Sequence, residues 1–221
     1  MNLTLNLIAT PEVVSRGRFS WGCSLLQKSS GFQGYRYKTL NLFAQGMGLG
    51  LIGLLVAVSP VLADETAEIQ ATFADYKSAI LAGRGDEAVD QLSQNTIEYY
   101  GAMQKLAVCA DAATVKAEPM LNRVQVFSLR FRVEPQTLLK FSDREVIAYG
   151  VEQGWIGRDG VTDIEVGQIA LEKGEAFAEM TRSNQPTGIR FRFVEESGNW
   201  KLDLVPIIEF SNLAFQELAK Q

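Results

Sequence analysis

Six side chains of types suited to acid–base work stand out in this sequence: Tyr76, Tyr99, Tyr100, Tyr149, Asp203 and Glu209. A carboxylate base beside a tyrosine donor needs an apolar cavity, because burial raises the carboxylate pKa and strengthens the donor's hydrogen bond. Their spacing selects no base–donor pair. Tyr100 recurs with apolar residues on one helical face, which reads as a core position with its hydroxyl satisfied. Asp203 alternates away from Trp200, Leu202 and Leu204, which puts it toward solvent or opposite Arg190 or Arg192 across a hairpin. The 221 residues include no histidine. Ser-His-Asp and Cys-His nucleophile systems are therefore excluded, as is imidazole-bound zinc.

Other chemistries find little support. The acidic residues come in ones and twos rather than in a calcium-loop spacing. Gly46-Met-Gly-Leu-Gly50 lacks the strand and helix of a nucleotide-binding glycine loop. No metal or cofactor is expected. Arg123, Arg130 and Arg132, with Lys116 and Lys140 nearby, form the locally basic stretch. It reads either as a solvated helix face or as a patch for an anionic ligand or acidic partner.

Charge is unevenly distributed. The chain holds 21 basic and 26 acidic side chains. Residues 1–63 carry Arg16, Arg18, Lys28, Arg36 and Lys38 against Glu12, a net of +4. The remaining 16 basic and 25 acidic side chains bring residues 64–221 to −9, which disfavours nucleic acid. Thr39 to Ala63 is uncharged, is most apolar from Met47 to Val58, and ends in Ser59-Pro-Val-Leu-Ala63 before Asp64-Glu65. A basic region, an apolar stretch and small residues at −3 and −1 are the layout of a secretory signal peptide cut between Ala63 and Asp64. Pro60 would break the helix ahead of the cut. The alternative is an uncleaved N-terminal membrane anchor. The leader is long, so translation is expected to start downstream, near Tyr35–Met47. Of the two cysteines, Cys23 lies in the leader, and Cys109 reads as a buried helical thiol.

Residues 64–221 suffice for one domain. Its first half has helical periodicity. Ile69, Phe73, Tyr76 and Ile80 share one face of a helix over 64–82, stopped by Gly83 and Gly85. Asp86 is placed to cap a second helix with Val89 and Leu92 inward. After a break near Ser93–Thr96, Ile97, Tyr100, Met103 and Ala107 continue helically. Met120, Val124, Phe127 and Phe131 repeat the same spacing, which marks them as the buried face of a further helix opened by Pro119. Ser142-Asp-Arg-Glu145 is a capping box for a helix ended by Gly154. Beyond Gly160 the period falls to two. Strands are expected around Ile164–Leu171, with a bulge at Gly167, then around Ala176–Met180, Ile189–Phe193 and Trp200–Leu204. Turns fall at Lys173-Gly174, Ser183–Thr187 and Glu196–Asn199, and Asn212–Lys220 closes as a helix. The fold class is α+β, with helices packed on a four-stranded antiparallel sheet.

Three segments resemble the NTF2-like superfamily of cone-shaped α+β proteins. They are Ala79-Ile-Leu-Ala-Gly-Arg-Gly-Asp86 at the first helix junction, Leu92-Ser-Gln-Asn-Thr-Ile-Glu-Tyr-Tyr100, and Phe191-Arg-Phe-Val-Glu-Glu-Ser-Gly-Asn-Trp-Lys-Leu-Asp203 as the last hairpin. Residues 111–160 carry more helix than that family has before its sheet. The resemblance implies a cavity between sheet and helices, used by some members for isomerase, dehydratase or hydrolase chemistry and by others for binding. The dehydratase pattern needs histidines absent here. The chain is accordingly read as an exported, periplasmic or extracellular, non-catalytic binding or scaffold protein. Its expected partner is a small apolar ligand or a protein, a second copy of itself included. Tyr100, Tyr149, Trp155 and Arg132 are the candidate ligand contacts. The alternative is a small lyase, isomerase or hydrolase with a Tyr/carboxylate pair. Export makes a direct prediction: N-terminal sequencing of protein recovered from the cell envelope should begin at Asp64, whereas an intact Leu62-Ala63-Asp64 peptide would indicate the anchor.

Overall fold

The computed structural model of the chain describes residues 60–220, with side chains from 64. Residues 1–59, which hold Cys23 and most of the expected leader, lie outside the described residues. Helix α1 (Pro60–Ala82) is followed by α2 (Gly85–Asp90), α3 (Gln94–Cys109), α4 (Ala112–Ala117), α5 (Met120–Arg132), α6 (Pro135–Leu138), α7 (Asp143–Glu152) and α8 (Arg158–Val161). Strands β1 (Ile164–Glu172), β2 (Glu175–Arg182), β3 (Gln185–Glu196) and β4 (Asn199–Asp203) come next, and α9 (Val205–Leu218) follows. Among the described residues no helix is long and apolar enough to cross a membrane.

Helix α1 presents Ile69, Phe73, Tyr76 and Ile80, all buried, to the sheet and to the other helices. Phe73 meets Phe191 of β3 with ring centroids 4.9 Å apart. Thr72 Oγ1 donates to the Trp200 carbonyl (3.2 Å) and Lys77 Nζ to that of Ile164 (2.9 Å), tying the helix to both edge strands. Pro60 is the first residue of α1 rather than a break before residue 64, since a missing N–H is no loss at a helix start. The helix thus runs unbroken through Ala63-Asp64. Gly83, at φ +68°, ends it: its N–H reaches the Ile80 carbonyl and that of Arg84 the Ala79 carbonyl, a Schellman close. Gly85 is the first residue of α2 instead of a second stop. A Cβ there would lie 2.3 Å from the Ala148 carbonyl oxygen of α7. Asp86 sits inside the first turn, and Arg84 holds the N-cap position without a side-chain capping bond.

The capping box forms as spaced: Ser142 Oγ accepts from Glu145 N–H, and Glu145 Oε2 accepts from Ser142 N–H (2.7 Å). These bonds hold the Glu145 carboxyl below its usual pKa. Short helices α4 and α8 were missing from the expected set. Asp111 caps α4 by accepting from Thr114 N–H, and Pro135 opens α6 where an interruption was expected. The sheet is an antiparallel meander in the order β1-β2-β3-β4, with the Gly167 bulge shifting register between Val166 and Ile169. Its three links are two-residue turns, Lys173-Gly174, Ser183-Asn184 and Ser197-Gly198, each with both φ angles positive. The second is tighter than the expected loop, so β3 begins at Gln185 and Pro186 pairs with Thr181. Ala176, Ala178, Phe191, Phe193, Trp200 and Leu202 form the sheet's buried face. The segment between α2 and α3 pairs with β4, with Ser93 N–H on the Leu202 carbonyl and Leu202 N–H on that of Gln91. That covers an edge otherwise open to pairing. Leu204 caps α9 rather than extending β4, and α9 starts seven residues before the expected Asn212.

One reversal is large. Met120, Val124, Phe127 and Phe131 of α5 are all exposed, Phe131 to 91%. The inward side of α5 is instead that of Val126 and Arg130. Arg130 donates to the carbonyls of Leu106, Ala107 and Ala110 at the end of α3. The Leu106 carbonyl also accepts from Ala110 N–H, but those of Ala107 and Ala110 lie past the last helical bond, and a guanidinium also suits the negative end of the helix dipole. Cys109, in the same turn, is half-buried rather than fully buried.

The Gly85 contact sets a test. Gly85→Ala should cost roughly 1–3 kcal/mol by overpacking against the α7 backbone and lower the midpoint of thermal unfolding followed by circular dichroism. An unchanged midpoint would show that α2 does not need that approach.

Candidate functional site

Two hollows are candidates. One, about 270 Å³, is open and polar, lying between α1 and β4 with Glu68, Asp75, Trp200 and Lys201 in its wall. The other, about 250 Å³, lies among α3, α5, α7 and the turn before α8. Val124, Leu129, Val146 and Ile156 make it mainly apolar, with Tyr100 and Trp155 as aromatic walls and Gln125, Ser128 and Arg132 as polar groups. An apolar concavity with a few convergent polar groups is the usual form of a small-molecule site. No strand residue lines it, so this hollow is not the sheet-lined cavity expected. The sheet's inner face is filled by α1.

Local backbone chemistry positions the wall. Helix α7 ends in a second Schellman close, with Gly154 at φ +71°, its N–H on the Val151 carbonyl and that of Trp155 on the Gly150 carbonyl (2.8 Å). This folds Trp155 and Ile156 back along α7. Gly150 admits the close approach, because a Cβ would lie 2.4 Å from Ile156 Cδ1. Trp155 stands edge-on to Tyr149 (5.5 Å), which also packs on Phe141 (5.2 Å). Arg132 lies 5.2 Å from the Trp155 ring centroid, a cation–π contact at the rim.

Three of the four expected ligand contacts, Tyr100, Arg132 and Trp155, therefore share one pocket, and Tyr149 stands behind Trp155 as its support. Gln125 and Ser128 have no distinguishing signal in the sequence. The Gln125 carboxamide lies beside the Tyr99 hydroxyl, while its Oε1 is buried with no hydrogen-bond partner. The basic stretch does not converge on one point: Arg130 turns to α3 and Arg132 to Trp155.

The acid–base candidates are dispersed. Tyr99 donates to Asn122 Oδ1 (2.8 Å), and burial, with Tyr100, Glu118 and Glu209 nearby, pushes its pKa up. Burial also raises the Tyr76 pKa, and pushes that of Tyr100 up to about 12. Asp203 is buried rather than solvent-facing, and it pairs with Arg192 as one of the two expected arrangements has it (3.1 Å). It also accepts from Asn95, Thr96 Oγ1 and the Val205 N–H. Arg192 reaches on to Glu175 (2.6 Å). That set joins β2, β3, β4, α3 and α9, and none of its members lines the pocket. No carboxylate lines the pocket. Among the described residues no three His, Cys, Asp or Glu side chains are grouped to hold a metal ion. In comparisons with family models, curated proteins and solved structures, the chain matches none.

Two predictions follow from these environments. Asp203→Ala, which leaves Arg192 and Thr96 without their acceptor, should lower stability by about 3 kcal/mol in urea unfolding, with Asp203→Asn milder. Equal loss in both would show that the charge is immaterial. For Tyr100 the folded pKa of about 12 exceeds the ordinary 10.0. Its contribution to stability is therefore complete below pH 10 and is lost as pH rises through 12. Tyr100→Phe should flatten the fall of stability across that window, measured by denaturant unfolding at stepped pH. A parallel fall would place Tyr100 in water.

Proposed function

We propose that this chain is an exported NTF2-like binding protein without catalysis of its own, and that the pocket among α3, α5 and α7 holds a small amphipathic molecule. The observation that carries this reading is the lining: aromatic and aliphatic walls, an unpartnered buried acceptor at Gln125 Oε1, and a guanidinium at the rim. A molecule that satisfies all three has an apolar ring or short chain, a donor for Gln125 and an anionic or strongly accepting end for Arg132. The volume is below the ~300–1,000 Å³ typical of drug-sized ligands, which favours a compact one. Tyr100 without a carboxylate beside it in the wall supports binding over acid–base catalysis. Helices followed by a four-stranded antiparallel meander are the order that the NTF2-like resemblance implies. The basic, apolar and small-residue succession before Asp64 is the basis for export.

Native mass spectrometry of the chain isolated from its natural source tests the proposal. The expected result is one small non-covalent adduct per chain, lost in Trp155→Ala. Arg132→Leu should weaken rebinding of the released molecule by about tenfold or more, the equivalent of one charge-assisted contact. A bare chain from that source overturns the reading. Conversion of the released molecule by the protein would favour the lyase, isomerase or hydrolase alternative.

A further inference from the structure

A carboxamide on a pocket wall can present its oxygen or its nitrogen to a ligand, and the two recognise opposite chemistry. For Gln125 that choice is made outside the pocket. Two groups that cannot reverse their sense lie beside the first turn of α5: the Leu121 N–H, which only donates, and the Glu118 carboxylate, which only accepts. Leu121 N–H donates to Asn212 Oδ1 (2.9 Å), so Asn212 turns its Nδ2 to Asn122 Oδ1 (3.3 Å). Glu118 Oε2 accepts from Asn122 Nδ2 (2.9 Å), which fixes Asn122 the same way round. Asn122 Oδ1 is then an acceptor, and it takes the hydrogen of the Tyr99 hydroxyl (2.8 Å). The phenolic oxygen is left with lone pairs only. Gln125 hydrogen-bonds it in the sense that lowers the tyrosine pKa, which is donation to that oxygen. Its nitrogen is thereby held against Tyr99. Its oxygen, buried and with no partner among the described residues, is left for whatever fills the pocket.

The rest of the wall narrows the ligand. No carboxylate lines the pocket, so a cationic donor would be buried without a counter-charge, and a neutral N–H or O–H suits Gln125 instead. Arg132 stands seven residues along α5 from Gln125, ~10 Å along the axis at ~1.5 Å per residue. That places the anionic end of a ligand opposite its donor. The cation–π contact with Trp155 does not use up the guanidinium's N–H donors, which suit a carboxylate. A volume of about 250 Å³, roughly eight waters at ~30 Å³ each, holds one ring with short substituents. Resting on the ligand-pocket reading of this hollow, we propose that Tyr99, held by Asn122, is a positioning residue that presents the Gln125 oxygen to the ligand. The pocket therefore selects a single-ring aromatic acid with a neutral donor at the end away from its anion.

Calorimetric titration of the full chain with three probes tests it. They are 4-aminophenylacetate, which donates at the far end, 4-cyanophenylacetate, which accepts there, and phenylacetate, which does neither. The amino compound should bind the wild-type chain about tenfold or more tightly than the cyano compound, since the latter sets a second acceptor against the Gln125 oxygen. Tyr99→Phe removes the hydroxyl that holds Gln125, and Asn122→Leu releases its hydrogen to turn toward Gln125. In both variants the ratio should fall to about threefold or less, with phenylacetate affinity and the circular dichroism spectrum unchanged. Equal affinity of the amino and cyano compounds for the wild-type chain overturns the proposal. So does a ratio that survives both substitutions, and so does a proportional loss of all three probes in the variants, which a merely structural Tyr99 would give. If none of the three binds, native mass spectrometry separates the cases. A chain that carries an adduct overturns this selectivity and leaves the pocket, whereas a bare chain removes both.

Discussion

The arrangement of the helical layer turns on Arg130. Its guanidinium donates to three carbonyls at the end of α3, two of which, those of Ala107 and Ala110, lie past the last internal bond of the helix. Burying those two beside an apolar face of α5 would leave acceptors unpaired, at about 1–3 kcal/mol each. Turning Arg130 inward satisfies them, and Val126, one turn earlier, goes in with it. Two consequences follow from that single rotation. Gln125, Ser128, Leu129 and Arg132 come to face the gap toward α3 and α7, which makes the pocket. Met120, Val124, Phe127 and Phe131 are carried to the outside, which makes the exposed stripe. One polar interaction thus sets both the pocket wall and the exposed stripe.

Asp203 plays the corresponding part at the junction of sheet and helices. It lies at the end of the last strand, nearly inaccessible to water. A buried carboxylate is tolerated when its lone pairs are filled, and here donors come from β3, the first turn of α3 and the first turn of α9. Thr96 accepts from Leu204 N–H while donating to Asp203, so the strand's end and the helix's beginning share one hydroxyl. Apolar burial supplies most of the driving force for such a domain. These directional groups settle the register in which that burial occurs.

Elements governed by short-range chemistry were legible in advance. The four inward residues of α1, the glycine closes at Gly83 and Gly154, the capping box at Ser142 and the bulge at Gly167 all depend on residues within a few positions of one another. The tight turns belong with them, although Ser183-Asn184 needed only two residues where a longer loop was expected. At the candidate site, Trp155, Tyr100 and Arg132 were named from residue type and do share a wall. Tyr149 was named with them but serves from behind. Gln125 and Ser128 escaped notice because ordinary polar residues on a helix carry no mark of what they face. The short helices α4 and α8 escaped because a single turn has too few residues to display a period.

The sequence by itself determined the class of the domain. Helical spacing early and alternation late dictate helices followed by an antiparallel meander, because each pattern buries an apolar face in only one kind of element. The absence of histidine likewise excluded whole classes of catalysis without any coordinates. Which face of α5 turns inward was decided only by tertiary structure. Periodicity counts the apolar residues on a helix, and Met120, Val124, Phe127 and Phe131 make the better apolar row. It does not count the unsatisfied carbonyls on the helix packed alongside, and at α3 those outweighed the row. The burial of Asp203 has the same origin: strand alternation assigned it to the outward face, and donors from three distant segments gathered there and enclosed it.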